Sequence, residues 1–385
     1  MRTLAFVPAV LISATAAFAQ TASFAQPDAL SQDFARPGGT WHAPSCRTVV
    51  GSSSVAITSN EGATLVASNR PLRPTTYAFG LAVLPDVPNT MYLAHDRTLL
   101  RSTTAGCRWT EVGTVETTSD GFPISLAAAR GNRAYAWSEN RNDFARIDGT
   151  SITYVGAPVD AIVGVGTDPV DADGVRFGDG NGQLWASTNA GARFSPIGVP
   201  VPGLGLYYRA AFDPANLDHV VVGAVINGAF VTFDGGATWT PATGLSSTGR
   251  GPVNVFSVVV SPADPMTVFA MGLDIDESDA GAPSQGRHIY LSRDGGLSFR
   301  PVVDRSNDVI LPNGVPMAAH PTNANVVYFS YGSSFQGYGA DLYRYDDTTG
   351  QVTKTHNDYH GLPAIGFNPA DPSFMYLGLA LEAVN

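Results

Sequence analysis

Lysine is nearly missing from this sequence: Lys354 stands alone beside 21 arginines in 385 residues. Charge of either sign is scarce, at 14%, and the balance is acidic, with a formal net charge of −11 and a pI near 4.9. A chain so short of cations repels phosphate backbones and anionic headgroups, which argues against nucleic acid or a membrane surface as partner. No stretch after the N-terminus reaches the roughly 18 unbroken apolar residues of a membrane helix, so no membrane insertion is expected. Cysteine is limited to Cys46 and Cys107, too few for a structural zinc site built on thiolates. Also missing are Gly-x-x-x-x-Gly-Lys, His-Glu-x-x-His, Cys-x-x-Cys and Gly-x-Ser-x-Gly. What is abundant is turn chemistry, with 41 glycines and 27 prolines, in a chain that is 44% hydrophobic. That is ample for a core and too punctuated for long helices.

Arg2, an apolar stretch over 4–17 and the small residues of Ala17-Phe18-Ala19 read as a secretory leader over 1–19. Ser23-Phe24-Ala25 offers an alternative cleavage after 25. A linker over 20–37 and one domain over 38–385 follow. The expected location is periplasmic or secreted, where Cys46 and Cys107 can form a disulfide; two unpaired small side chains are the alternative. The mature protein is expected to be a monomer.

Internal repeats organise the rest. Thr232-Phe233-Asp234-Gly235-Gly236-Ala237-Thr238-Trp239 is matched in character by Ser292-Arg293-Asp294-Gly295-Gly296-Leu297-Ser298-Phe299. Looser copies begin at Ser187 and Ser102, and weaker ones lie at 58–65, at Asp148-Gly149 and at 346–350. The turn glycines Gly62, Gly106, Gly149, Gly191, Gly236, Gly296 and Gly350 are spaced by 44, 43, 42, 45, 60 and 54 residues. Out of phase with them, a proline turn leads into an apolar strand at 85–94, 213–223, 262–272, 321–330 and 369–378. A period in the forties with several strands per repeat belongs to a β-propeller, one four-stranded sheet per blade. The last repeat stops before its turn, and the first turn lacks its preceding strand. Joining the two predicts an all-β, seven-bladed propeller closed by strands from both ends.

The pattern at 232–239 and 292–299 resembles the Asp-box, or BNR, repeat of sialidases, sortilin-type receptors, xyloglucanases and photosystem II assembly factors. The resemblance implies that Asp234 and Asp294 brace their own turns, that Gly236 and Gly296 meet a positive-φ demand, and that Trp239 and Phe299 pack between sheets. These aspartates are read as structural rather than catalytic. The Phe/Tyr-Arg-Ile-Pro segment of sialidases is missing; Arg70-Pro71-Leu72-Arg73-Pro74 has the wrong order. Xyloglucanases use two tandem propellers. No catalytic residue carries over from either.

Candidate binding residues follow from the expected topology, in which the repeated turns leave one face and the second-to-third-strand connections leave the other. Three long segments share that second rim. The first, 272–287, holds Asp274, Asp276, Glu277 and Asp279, oxygen ligands suited to Ca²⁺ or else a solvated acidic loop. Asp168, Asp171 and Asp173 beside Gly174 invite the same pair of readings. The second segment, 331–340, holds Phe335 and Tyr338, and the third holds His356, Asp358, Tyr359 and His360. The aromatics suit stacking on a sugar or an extended peptide, and the histidines suit metal or acid–base work. The reading reached is an exported, non-catalytic binding or scaffold propeller that recognises a protein segment or a glycan at this face. The alternatives are a glycoside hydrolase of the Asp-box type and a protease-modulating secreted propeller, the latter similar in architecture to the dispase autolysis-inducing proteins of bacteria. A hydrolase would need two carboxylates facing each other across a cleft, whereas the acidic residues here bunch in one segment. No cofactor other than Ca²⁺ is suggested.

Overall fold

A computed structural model describes residues 40–381 apart from 73–75, 118–122, 139–140, 204–205, 250, 308, 310–316, 333–338 and 358–360. The leader over 1–19, its alternative end at 25 and the linker over 20–37 lie outside the described residues. Seven four-stranded antiparallel sheets follow one another along the chain. We number them blade 1 (80–114), blade 2 (124–154), blade 3 (162–197), blade 4 (207–241), blade 5 (253–303), blade 6 (317–357) and blade 7. Innermost strands of consecutive blades touch all the way round, with Gly361–Phe367 of blade 7 reaching Gly80–Val83 of blade 1. The ring is a seven-bladed propeller, as the repeat count predicts. Among the described residues the only α-helix is Ile275–Asp279.

Ring closure falls where the two incomplete repeats place it. Val55–Thr58 runs antiparallel to Met375–Leu381, with Val55 opposite Gly378 and Thr58 opposite Met375. Blade 7 therefore joins an N-terminal strand to C-terminal ones, and unfolding either end breaks the ring. Cys46 and Cys107 form a disulfide with Cα atoms 5.7 Å apart, which fastens the N-terminal segment to the outer turn of blade 1. The backbone adds to this fastening: Val50 N–H donates to the Cys107 carbonyl and Trp109 N–H to the Val50 carbonyl, both at 2.8 Å.

Each of the seven junctions between blades holds its own apolar cluster. Between blades 4 and 5 it contains Val221, Val255, Tyr290 and Phe299; between blades 5 and 6 it contains Phe269, Val327 and Tyr343. This explains why second strands such as Val220–Ala224 are apolar on both faces: each is sandwiched between neighbouring sheets. Near the axis the backbones crowd. A Cβ on Gly164 of blade 3 would stand 2.0 Å from the Ala210 carbonyl oxygen of blade 4, so only glycine fits.

Five third-to-fourth-strand turns share one hydrogen-bond plan. A hydroxyl at the strand end (Thr58, Ser102, Ser187, Thr232, Ser292) accepts from the N–H of the turn glycine four residues on, at 2.9–3.1 Å. Two residues after each hydroxyl, a side-chain oxygen (Asn60, Thr104, Asn189, Asp234, Asp294) accepts from a backbone N–H at 2.9–3.0 Å. Gly236 and Gly296 take φ values of 87° and 99°. Hydrogen bonds from Thr238 and Thr232 hold the Asp234 carboxyl down at about 2. Trp239 packs into the cluster between blades 3 and 4, and Phe299 into that between 4 and 5. The Asp148-Gly149 and 346–350 turns depart from the plan: Asp148 is engaged by Arg133 and Arg146, both at 2.7 Å, and Asp346 by Arg344 at 2.8 Å.

Candidate functional site

Innermost strands frame a central channel, and at the end opposite the repeated turns it widens into a cavity of about 450 Å³. Its wall mixes apolar side chains such as Phe79, Leu126, Trp137, Met317 and Ile365 with polar surface that includes Ser125 and Ser257, and Arg209 supplies a cation. The Trp137 indole N–H is buried with no hydrogen-bond partner among the described residues, a further polar group at the cavity wall. An apolar hollow with a few polar groups is the usual form of a ligand pocket.

The rim segments expected from the sequence are described only in part, and none of their described residues lines this cavity. His356, on the outer strand of blade 6, places Nδ1 2.6 Å from Asp341 Oδ1. Asp341 also accepts from the Tyr343 hydroxyl at 2.9 Å and lies 3.6 Å from the Lys354 ammonium, so the chain's single lysine is spent in this corner. Phe335, Tyr338, Asp358, Tyr359 and His360 lie outside the described residues.

The acidic segment takes a form different from the expected loop. Its strand continues to Asp274, which is fully buried and caps the short helix Ile275–Asp279 by accepting from Glu277 N–H. Asp274 also accepts from Ser247 N–H at 2.7 Å. Glu277 turns inward to Ser284 at 2.8 Å and to His288 Nε2 at 2.7 Å, while Asp276 and Asp279 face solvent. The four carboxylates therefore diverge, and among the described residues no group of three or more His, Cys, Asp or Glu side chains is placed to hold a metal ion. Tyr290 lies buried beside them, its hydroxyl pushed well up by burial and then by Asp274 and Glu277. Asp168 and Asp171 likewise accept backbone N–H groups of their own turn, and Asp173 pairs with Arg133 at 2.6 Å, on the opposite face.

A second hollow, of about 430 Å³, opens between blades 6 and 7 on the turn face. Glu61 there accepts from Tyr328 at 2.8 Å and sits 3.1 Å from Arg344. Burial, and then the Arg344 charge, hold the His320 imidazolium below its ordinary range. These groups satisfy one another across the closing junction, an arrangement that clasps blade 7 to blade 6.

Sequence reading missed the mouth's most exposed apolar feature. Ladder register slips between Tyr207 and Arg209 and again between Val255 and Ser257, in neighbouring innermost strands. The two aromatic residues inside these slips, Tyr208 and Phe256, meet with ring centroids 5.0 Å apart. The Leu206-Tyr207-Tyr208 run was the available signal, but a bulge is set by pairing between strands and leaves no mark of its own in a single sequence.

Fold and site together define a single-ring, seven-bladed propeller with an open hollow at the channel mouth. No family model matches the chain. It is 46% identical over 340 residues to the dispase autolysis-inducing protein of Streptomyces mobaraensis, covering 88% of this chain and 90% of that one, and it belongs to that family. Among solved structures, YCF48 bound to D1 peptide superposes with a TM-score of 0.57 at 11% identity, over 86% of this chain and 99% of that one. A GH74 xyloglucanase from Xanthomonas campestris gives 0.53 at 16% identity, over 78% of this chain and only 50% of the other. These two likenesses are of fold alone.

Proposed function

We propose that the protein is an exported, non-catalytic propeller that binds a protease and promotes its autolysis, with the channel mouth as the docking face. The observation that carries this reading is the 46% identity extending over 90% of a relative named for inducing dispase autolysis. The mouth supports it: an open hollow that combines apolar side chains with polar groups and the Arg209 cation suits a protein segment. Acting as a monomer, the protein holds an exposed segment of the protease where a second protease molecule can cleave it. The residues expected from the sequence to bind, Phe335, Tyr338, His356, Asp358, Tyr359 and His360, are assigned to contacts with the bound segment.

The test is a time course of dispase with and without the purified protein, followed by gel electrophoresis. Intact dispase should disappear several-fold faster with the protein present, and a chromogenic glycosidase panel should show no turnover. An unchanged dispase time course would refute the proposal.

A further inference from the structure

Blades 4 and 5 carry an apolar ledge beside the channel mouth. Leu206 is 68% exposed, Ile226 52% and Tyr208 38%, and Phe256 lies against the Tyr208 ring. Backbone bonds place them together: Val225 N–H donates to the Leu206 carbonyl at 2.9 Å, and Val253 N–H to the Ile226 carbonyl at 3.3 Å. The paired bulges aim Tyr208 and Phe256 out of their ladders, a device found where a strand edge meets a ligand.

Ile226 makes the strongest case. Its φ is 59°, in the left-handed region that disfavours a β-branched side chain, while Gly228 two residues on has φ 69°. Half-exposed, Ile226 recovers little of that strain by burial within its own chain. Strain kept at an exposed apolar side chain points to a contact outside the molecule.

Charge narrows the partner. The helix Ile275–Asp279 follows the ledge closely, since Ile275 N–H donates to Pro252 O at 3.0 Å and Val253 bonds Ile226. Asp276 and Asp279 are exposed on it, and neither forms an ion pair among the described residues. With a net charge of −11 behind them, these carboxylates complement cations.

We infer that this ledge docks a protein segment in which apolar side chains sit next to lysine or arginine, the apolar groups seating on Leu206, Tyr208, Ile226 and Phe256 and the cations facing Asp276 and Asp279. The inference rests on the reading of the protein as a protease-binding propeller and names the chemistry of the bound segment.

The probe is a fluorescein-labelled decapeptide alternating leucine or phenylalanine with lysine, beside a twin carrying glutamate for lysine, each titrated by fluorescence anisotropy. Wild type should bind the lysine peptide and discriminate against the glutamate one. Leu206→Ser and Ile226→Gly should each weaken it tenfold or more, and Asp276→Asn combined with Asp279→Asn several-fold with a flatter salt dependence. Val170→Ser, which removes an apolar side chain 84% exposed on the opposite face, should leave binding unchanged. Because glycine suits the φ at 226, the melting temperature of Ile226→Gly should equal or exceed that of wild type, so lost binding is not lost folding. Failure of wild type to bind the lysine peptide, equal affinity for the two peptides, or equal binding by the ledge variants overturns the inference. Peptide binding as expected with an unchanged dispase time course sinks the protease reading and leaves the ledge standing.

Discussion

Replacing both Cys46 and Cys107 by serine should lower stability by about 4 kcal/mol, the value the chain-entropy relation assigns to a crosslink spanning 61 residues. The location makes the loss consequential. The bridge fixes the segment that leads into Val55–Thr58, the strand by which the N-terminal part of the chain completes blade 7. Without it, that segment is held on blade 1 by backbone bonds such as Val50 to Cys107, by the Trp41 indole N–H donating to the Leu84 carbonyl, by the His42 N–H donating to Asn89 Oδ1 and by the Cys46-side packing. For a domain of this size the melting temperature should drop by about 5 °C, read by differential scanning calorimetry. An equal drop on adding a reductant to wild type, and no further drop on adding it to the double variant, ties the effect to the bond. Coincident melting curves for wild type and double variant would show that the bridge contributes nothing to ring closure.

Gly164→Val should cost about 3 kcal/mol, the upper end for forcing atoms into a filled site. The position lies on the innermost strand of blade 3, and its Cβ would meet backbone: the Ala210 carbonyl oxygen at 2.0 Å and carbonyl carbon at 2.9 Å. A side chain could rotate away; a ladder carbonyl in Tyr207–Phe212 can move only with its strand. Gly203→Ala is the matched control, because nothing lies within 4 Å of its Cβ, although its φ of 117° adds some strain. Urea denaturation should separate the two variants, and comparable midpoints would mean that blades 3 and 4 leave room for a side chain at the axis.

Much of this fold can be read without coordinates because its signals are local. A hydroxyl, an Asn or Asp two residues later (Thr104 in one turn) and a glycine two beyond that build the same turn at 58–64, 102–108, 187–193, 232–238 and 292–298. Counting these five turns together with the divergent ones at Asp148-Gly149 and 346–350 gives the blade number, and the unmatched ends at Gly62 and 369–378 give the closure. The candidate site was less legible, for reasons equally physical. The helix Ile275–Asp279 is too short to show an apolar period, so its acidic run reads as loop; Asp274 reveals itself as a cap only once Glu277 N–H is seen to reach it. His288 pairs with Glu277 across a gap of eleven residues that depends on strand register. Tyr208 and Phe256 come together through bulges in two different blades, 48 residues apart in sequence. Their juxtaposition belongs to the ring, which no window of sequence contains.

The most direct measurement is an amide hydrogen-exchange footprint of the protein mixed with dispase in short pulses. Docking at the channel mouth predicts slowed exchange at 206–209, 225–228 and 253–257, with the opposite-face turns at 187–193 and 232–238 unchanged. Protection confined to those turns, or no protection anywhere, would contradict the assignment of the mouth face as the surface that meets the protease.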